Sequence, residues 1–267
     1  MGTESGRQTY ADGFARSADR AAFMPFAVLG FPDRKRSIDM IRRMIDSGAD
    51  MLELGFPFSD PIADGPTIQH ADTAALDAGI TVADCFSMIT DIRELTDVPI
   101  GLLVYANLVY QRGIDAFCED CASAGVNSVL IPDMPVEEAD AFVAAAKANG
   151  LDTVFIVTEL TTPRRLSSII DSTTGFIYIV SAVGVTGART ELSAGIAGML
   201  TGLRKKTDLP LCVGFGISKP EHAKSMTAAG ADGVICGSAI IDLMGQQSSD
   251  KKALESFIIK MKKACVR

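Results

Sequence analysis

Histidine is nearly missing from this chain and tryptophan is missing altogether: 267 residues carry two histidines, His70 and His222, and no Trp. No His, Asp and Cys cluster at metal-ligand spacing, so metal catalysis is not expected. Long apolar runs are missing too. None approaches the roughly 20 residues that cross a bilayer, and the opening stretch MGTESGRQTYADGFARSADR has no apolar core of a secretory signal. Positive charge is in deficit, with 25 Lys and Arg against 33 Asp and Glu for a net charge of −8. Such a chain is repelled by polyphosphate, so no nucleic-acid partner is expected. The six cysteines (85, 118, 121, 212, 236, 265) are scattered, and two fall in apolar strand-like runs. That pattern predicts no disulfide framework and a reducing compartment, the cytoplasm. Cys118-Glu119-Asp120-Cys121 matches C-x-x-C without a second pair, and reads as two half-buried positions on one helix face.

What is present is alternation. Hydrophobic residues make up 48% and charged residues 22%, the balance of an ordinary globular chain. Short apolar runs at 23–29, 51–55, 100–105, 128–131, 153–157, 176–181, 211–214 and 233–236 read as strands covered on both faces. Helical patterns lie between them at 36–47, 82–94, 115–124, 135–149, 163–171, 193–205, 220–229 and 239–244. Thr162-Pro163, Ser218 before Pro220 and Asp133 before Pro135 are helix-start signals. Eight βα units in about 250 residues is the arithmetic of a (β/α)8 TIM barrel, with an open doubly wound sheet as the alternative. No linker or low-complexity run divides the chain, so one domain is expected over 1–267. Residues 1–20 are an N-terminal capping segment, and 249–265 hold a C-terminal helix.

A barrel keeps its chemistry at the C-terminal ends of its strands. If Leu52 and Leu54 face the helices, Glu53 points into the barrel. No expected strand carries Lys or Arg, so burial should raise the pKa of Glu53 and poise it to carry a proton both ways. Asp64 follows in the loop; spacing alone makes it a turn residue or helix cap at least as readily as a second acid–base group. Asp60, beside Pro61, is equally ambiguous. Val185-Thr186-Gly187, Gly214-Phe215-Gly216-Ile217-Ser218 and Cys236-Gly237-Ser238 put glycines at three consecutive strand ends, a cradle for a phosphate. Phe26, Leu103, Tyr105, Tyr178 and Phe215 suit a flat apolar group. The absence of strand lysines argues against a Schiff base, and no G-x-S-x-G elbow or G-x-G-x-x-G turn appears. What remains is proton transfer by carboxyl groups on a phosphorylated small molecule.

The stretch LELGFPFSDPIADGPTIQ, residues 52–69, resembles the signature of the tryptophan synthase alpha chain family. The likeness continues through Pro25-Phe26, residues 101–107 (GLLVYAN), residues 132–138 (PDMPVEE), Gly184-Val185-Thr186-Gly187, Gly214-Phe215-Gly216-Ile217 and Gly237-Ser238-Ala239-Ile240. The resemblance implies a TIM barrel that cleaves indole-3-glycerol phosphate to indole and glyceraldehyde 3-phosphate. It implies no cofactor on this chain, and a beta chain carrying pyridoxal phosphate in an α2β2 assembly. The loop at 58–61 joins both carboxylates and carries apolar and proline residues toward the rim, so the contact is expected near Asp60 and Pro61. The catalytic glutamate falls on Glu53 and the catalytic aspartate on Asp64, which lifts Asp64 above a turn residue. Phosphate ligands fall on Gly187, Gly216, Gly237 and Ser238. The mobile loop falls on residues 182–190, with Thr186 against the aspartate, and pocket positions fall on Phe26, Leu103, Tyr178, Phe215 and Ile235. The chain departs from the pattern at Ala182-Val183, where some members carry an arginine, and at Thr158-Glu159-Leu160. The rivals are another phosphate-binding barrel, an isomerase or epimerase, and a silent barrel kept as a regulatory partner.

Overall fold

The apolar runs form eight parallel strands: β1 (Ala22–Val28), β2 (Leu52–Gly55), β3 (Ile100–Leu103), β4 (Ser128–Leu130), β5 (Asp152–Val157), β6 (Ile177–Ile179), β7 (Leu211–Val213) and β8 (Gly233–Cys236). They pair in chain order, and β8 returns to β1 with Ala22 opposite Gly233. The sheet is therefore a closed barrel and not the open alternative. The structure is a computed structural model that describes residues 8–17, 19–180, 189–214, 216–245 and 251–266, with the backbone alone at 189–194 and 251.

Twelve described helices accompany the strands: α1 (Tyr10–Ala15), α2 (Arg34–Asp46), α3 (Pro66–Asp77), α4 (Val82–Arg93), α5 (Ala106–Arg112), α6 (Ile114–Ala124), α7 (Asp140–Ala148), α8 (Pro163–Ser172), α9 (Arg189–Arg204), α10 (Pro220–Ala228), α11 (Ser238–Gly245) and α12 (Lys251–Ala264). Helices α3 and α5 are additions to the sequence reading, so the second and third units each hold two helices. The helix expected over 135–149 is broken into a 3-10 turn, Val136–Glu138, and α7. Its expected cap, Asp133, instead accepts the Ala106 N–H at the start of α5, at 2.8 Å. Ser218 is likewise no side-chain cap: Lys219 holds that position in α10. Thr162 does cap α8, accepting from the Arg165 N–H. Cys118 and Cys121 both lie on α6 and are fully buried, not half-buried, and all six thiols are free. Burial pushes the Cys118 thiol up to about 11. No described helix is long and apolar enough to cross a membrane.

The end of the barrel opposite the strand C-termini is closed by charge. Asp50, just before β2, accepts two hydrogen bonds from Arg20, at 2.5 and 2.6 Å, and one from the Phe23 N–H at 3.0 Å. Lys262 of α12 reaches the same carboxylate at 3.2 Å and the Gly48 carbonyl at 2.6 Å. Burial alone would raise the Asp50 carboxyl; Arg20, the Phe23 amide and Lys262 outweigh it and hold it below the usual carboxylate range. Its contribution is present above that range and lost as pH falls through the depressed value. Asp50→Ala strands a largely buried Arg20. We expect a loss of about 3–5 kcal/mol at neutral pH, read as a lower urea midpoint.

Candidate active site

Glu53 lies inside the barrel, 3% exposed. Register places it beside Phe26 of β1 and Gly101 of β3, and Gly101 in turn beside Ser128 of β4. Gly101 is required there. A Cβ would sit 2.5 Å from the Tyr10 hydroxyl oxygen and 3.0 Å from Ser128 Oγ. Tyr10 arrives from α1 and its hydroxyl oxygen accepts from Ser128 Oγ at 3.0 Å. Its ring meets Phe176 edge-on at 5.4 Å, and Phe176 continues to Tyr178 at 6.3 Å. The capping segment thus supplies an aromatic floor beneath the glutamate. Among the described residues no hydrogen bond or ion pair to the Glu53 side chain occurs. Burial first and the Asp64 carboxyl second push it up to about 8, so it holds a proton at neutral pH.

Asp64 stands on the loop between β2 and α3. Gly65 is the N-cap of α3, without a side-chain cap bond, and Pro66 opens the helix. The Asp64 carboxylate is therefore not spent on capping. Tyr105, just past β3 at the N-cap of α5, donates its hydroxyl to Asp64 Oδ2 at 2.6 Å and accepts the Ala63 N–H at 3.1 Å. Burial raises the Asp64 carboxyl, and the Tyr105 hydrogen bond pulls it partly back. Phe58 stacks on the Tyr105 ring with centroids 5.0 Å apart. Ser59 and Asp60 are exposed, Pro61 is half-buried, and Ile62 is 81% exposed. Tyr105, expected to face a substrate ring, has its hydroxyl committed to Asp64.

The glycines expected at the phosphate end divide into two groups. Gly216 adopts φ +73°, the left-handed region that favours glycine, and its carbonyl lies 3.0 Å from His222 Nδ1. Gly237 precedes Ser238, the first residue of α11, and accepts from the Ile240 N–H at 2.8 Å. A Cβ on Gly237 would make only ordinary contacts with Phe26 and Ile68. No crowding by described atoms demands glycine there, which is what an anion approaching the helix N-terminus would exploit. Phe26 reaches across the same mouth, since a Cβ on Gly55 would lie 2.8 Å from its Cζ. Tyr178 is buried and donates to the Gly214 carbonyl at 3.3 Å. Ile235 is buried and Leu103 half-buried. Thr186, Gly187, Phe215 and the loop at 182–188 lie outside the described residues. Glu159 lies against α9, where a Cβ on Gly195 would come within 2.6 Å of its Oε1.

A cavity of about 350 Å³ opens further round the rim, lined by Asp133, Met134, Thr158, Thr161 and Arg165 among others. It includes neither carboxyl group and is not the site described here. Sequence reasoning missed the Tyr105–Asp64 bond, the Tyr10 floor and Asp72, a buried acid on α3. Only Asp72 left a signal: it falls within an apolar helical stripe, Ile68, Ala71, Asp72, Ala75.

The raised Glu53 value has a sign that can be checked. Near neutrality the folded chain keeps a proton that the unfolded chain has released. Stability therefore falls as pH rises from the usual carboxylate range towards about 8. Glu53→Gln removes that dependence. We expect the variant to gain little over wild type near pH 5, and to gain about 2–4 kcal/mol by neutral pH at about 1.4 kcal/mol per unit. Thermal melts across that range measure it.

A family model described as tryptophan synthase alpha chain matches residues 14–266. A tryptophan synthase alpha chain from Methanothermobacter thermautotrophicus is 47% identical over 246 residues, covering 92% of this chain and 91% of its own. The structure of Mycobacterium tuberculosis tryptophan synthase superimposes with a TM-score of 0.89 at 30% identity, covering 98% of this chain and 99% of its own. A tryptophan synthase complex from Pyrococcus furiosus gives 0.82 at 32% identity, covering 91% of this chain and 98% of its own. With the closed barrel already in place, these matches decide the family: the chain belongs to the tryptophan synthase alpha chains, lyases that cleave indole-3-glycerol phosphate.

Proposed function

We propose that Glu53 and Asp64 divide the acid–base work of this cleavage. The observation that carries the reading is a glutamate buried inside the barrel with no cation on any strand, its pKa raised by burial first and by the Asp64 carboxyl second. Breaking the bond between indole C3 and the glycerol chain needs a leaving carbon that can accept electrons. Glu53 donates its proton to C3, giving an indolenine. It then takes the proton of the adjacent side-chain hydroxyl as the carbon–carbon bond breaks. The bonding electrons return to the ring, and the hydroxyl carbon becomes the aldehyde of glyceraldehyde 3-phosphate. Asp64 accepts a hydrogen bond from the indole N–H and stabilises the positive charge that grows there.

Gly216, Gly237 and Ser238, with Gly187, hold the phosphate, so binding energy far from the reacting carbon orients the ring. Phe26, Leu103, Tyr178 and Ile235 bound the apolar part, with Phe215. The relatives that form complexes support a beta-chain partner for this chain, with pyridoxal phosphate on that partner alone. We place the contact at Asp60 and Pro61 on the barrel rim, where Ile62 and Leu160 are each 81% exposed. An α2β2 assembly in the cytoplasm completes the reading.

Indole release from indole-3-glycerol phosphate, with and without a beta chain, is the deciding assay. Glu53→Gln should lower kcat by at least about 10², the low end of acid–base contributions, with KM little changed. Turnover near wild type in that variant removes Glu53 from the mechanism. Gly237→Asp places a carboxylate where the phosphate should sit. We expect KM to rise severely in a variant that still melts cooperatively; an unchanged KM puts the phosphate elsewhere.

A further inference from the structure

Asp72 interrupts the buried face of α3. Ala71, Asp72 and Ala75 are the buried residues of that helix. Asp72 is 3% exposed, and no donor reaches its Oδ2. A buried carboxylate with one oxygen left without a donor is costly, which favours the protonated form. Burial first and Asp64 second push it up to about 8, while the Phe58 backbone N–H pulls the other way. Phe58 is the link that matters. Its ring stacks on Tyr105, whose hydroxyl donates to Asp64 and accepts the Ala63 N–H. Asp72 behind the loop, Phe58 at its root, Tyr105 across the rim and Asp64 at the mouth form one connected circuit.

We propose that Asp72 is a positioning residue for the cleavage reaction, acting through Phe58 and Tyr105 to hold Asp64 at the mouth of the barrel. This rests on the catalytic reading of Asp64. The ionisable groups that face Asp72 are Asp64 from the loop and Tyr105 from the third unit. β1, which packs on α3, carries none, and the one acid of α11, Asp242, lies on its exposed side. His70 and Asp77 of α3 itself are exposed. Ionisation of Asp72 would set a second negative charge beside Asp64 and push the loop outward.

Two substitutions separate charge from shape. Asp72→Leu removes the acceptor for Phe58, and Asp72→Asn keeps a neutral group of the same size. Each is assayed for indole release from indole-3-glycerol phosphate across pH, and for hydrogen exchange at the Ala63 amide. For Asp72→Leu we expect kcat to fall at least about tenfold with KM unchanged, as misaimed catalytic groups do. Exchange at Ala63 should accelerate by a similar factor. Asp72→Asn should match wild type at neutral pH and decline less steeply above it, since wild type loses two activity-linked protons, from Glu53 and Asp72, and the variant loses one. Unchanged kcat and unchanged Ala63 protection in Asp72→Leu would overturn the proposal, as would identical alkaline limbs in wild type and Asp72→Asn. Faster Ala63 exchange with kcat unchanged would overturn it through the role of Asp64, not that of Asp72. If Asp72→Leu does not fold, the alkaline limbs of wild type and Asp72→Asn decide the matter alone.

Discussion

A carboxyl group enclosed by apolar strands, with no cation to answer it, is the constraint around which this barrel is arranged. The eight strands contain no Lys or Arg, so nothing carried by the sheet can neutralise Glu53. Burial therefore keeps the group protonated near neutrality, and the layer beneath it keeps water out. Gly101 leaves the space that Tyr10 fills, Ser128 meets the Tyr10 hydroxyl, and Phe176 carries the packing up to Tyr178. A lysine in any of these positions would restore an ordinary carboxylate and remove the acid.

The second carboxyl group is handled differently. Asp64 is held by one hydroxyl group and by the geometry of its loop, in which the Asp64 N–H bonds back to the Pro61 carbonyl at 3.0 Å. Because α3 begins at Gly65 and Pro66, the helix takes nothing from the Asp64 side chain. One acid is fixed by a rigid interior, the other by contacts at the rim that a docking partner or a closing loop can bias. Two groups with raised pKa values but unequal freedom suit a reaction in which one must exchange protons and the other need only follow a growing charge.

The barrel was legible because its strands are buried on both faces and so read as continuous apolar runs separated by helical periods. Glu53 was legible for the same reason: a lone acid in such a run has few structural explanations. Asp64 was not fixed by spacing, since Asp beside Gly and Pro equally signals a turn or a cap; the family resemblance raised it, and the Tyr105 hydroxyl and the unused Gly65 cap then gave it a setting. Helices α3 and α5 were not counted because the eight-unit pattern needs one helix per strand, although the reading of Asp64 as a possible cap already allowed a helix after it. Asp133 looked like a cap for the helix after it in sequence, but bonds to α5 across the rim, a long-range choice that no local signal encodes. Tyr10 was invisible as a site neighbour because its contact with Gly101 and Ser128 spans more than ninety residues of chain.

The chain has four tyrosines and no tryptophan. Three of the four, Tyr10, Tyr105 and Tyr178, sit beneath, beside or across from the two carboxyl groups, and the fourth, Tyr110, is 52% exposed on α5. In most proteins phenol emission is masked by indole rings placed wherever packing required them. Here most of the native near-ultraviolet signal comes from three phenols grouped around the two carboxyl groups. Excitation of the unlabelled protein therefore interrogates the surroundings of Glu53 and Asp64 directly, with Tyr110 as a solvent-exposed internal reference.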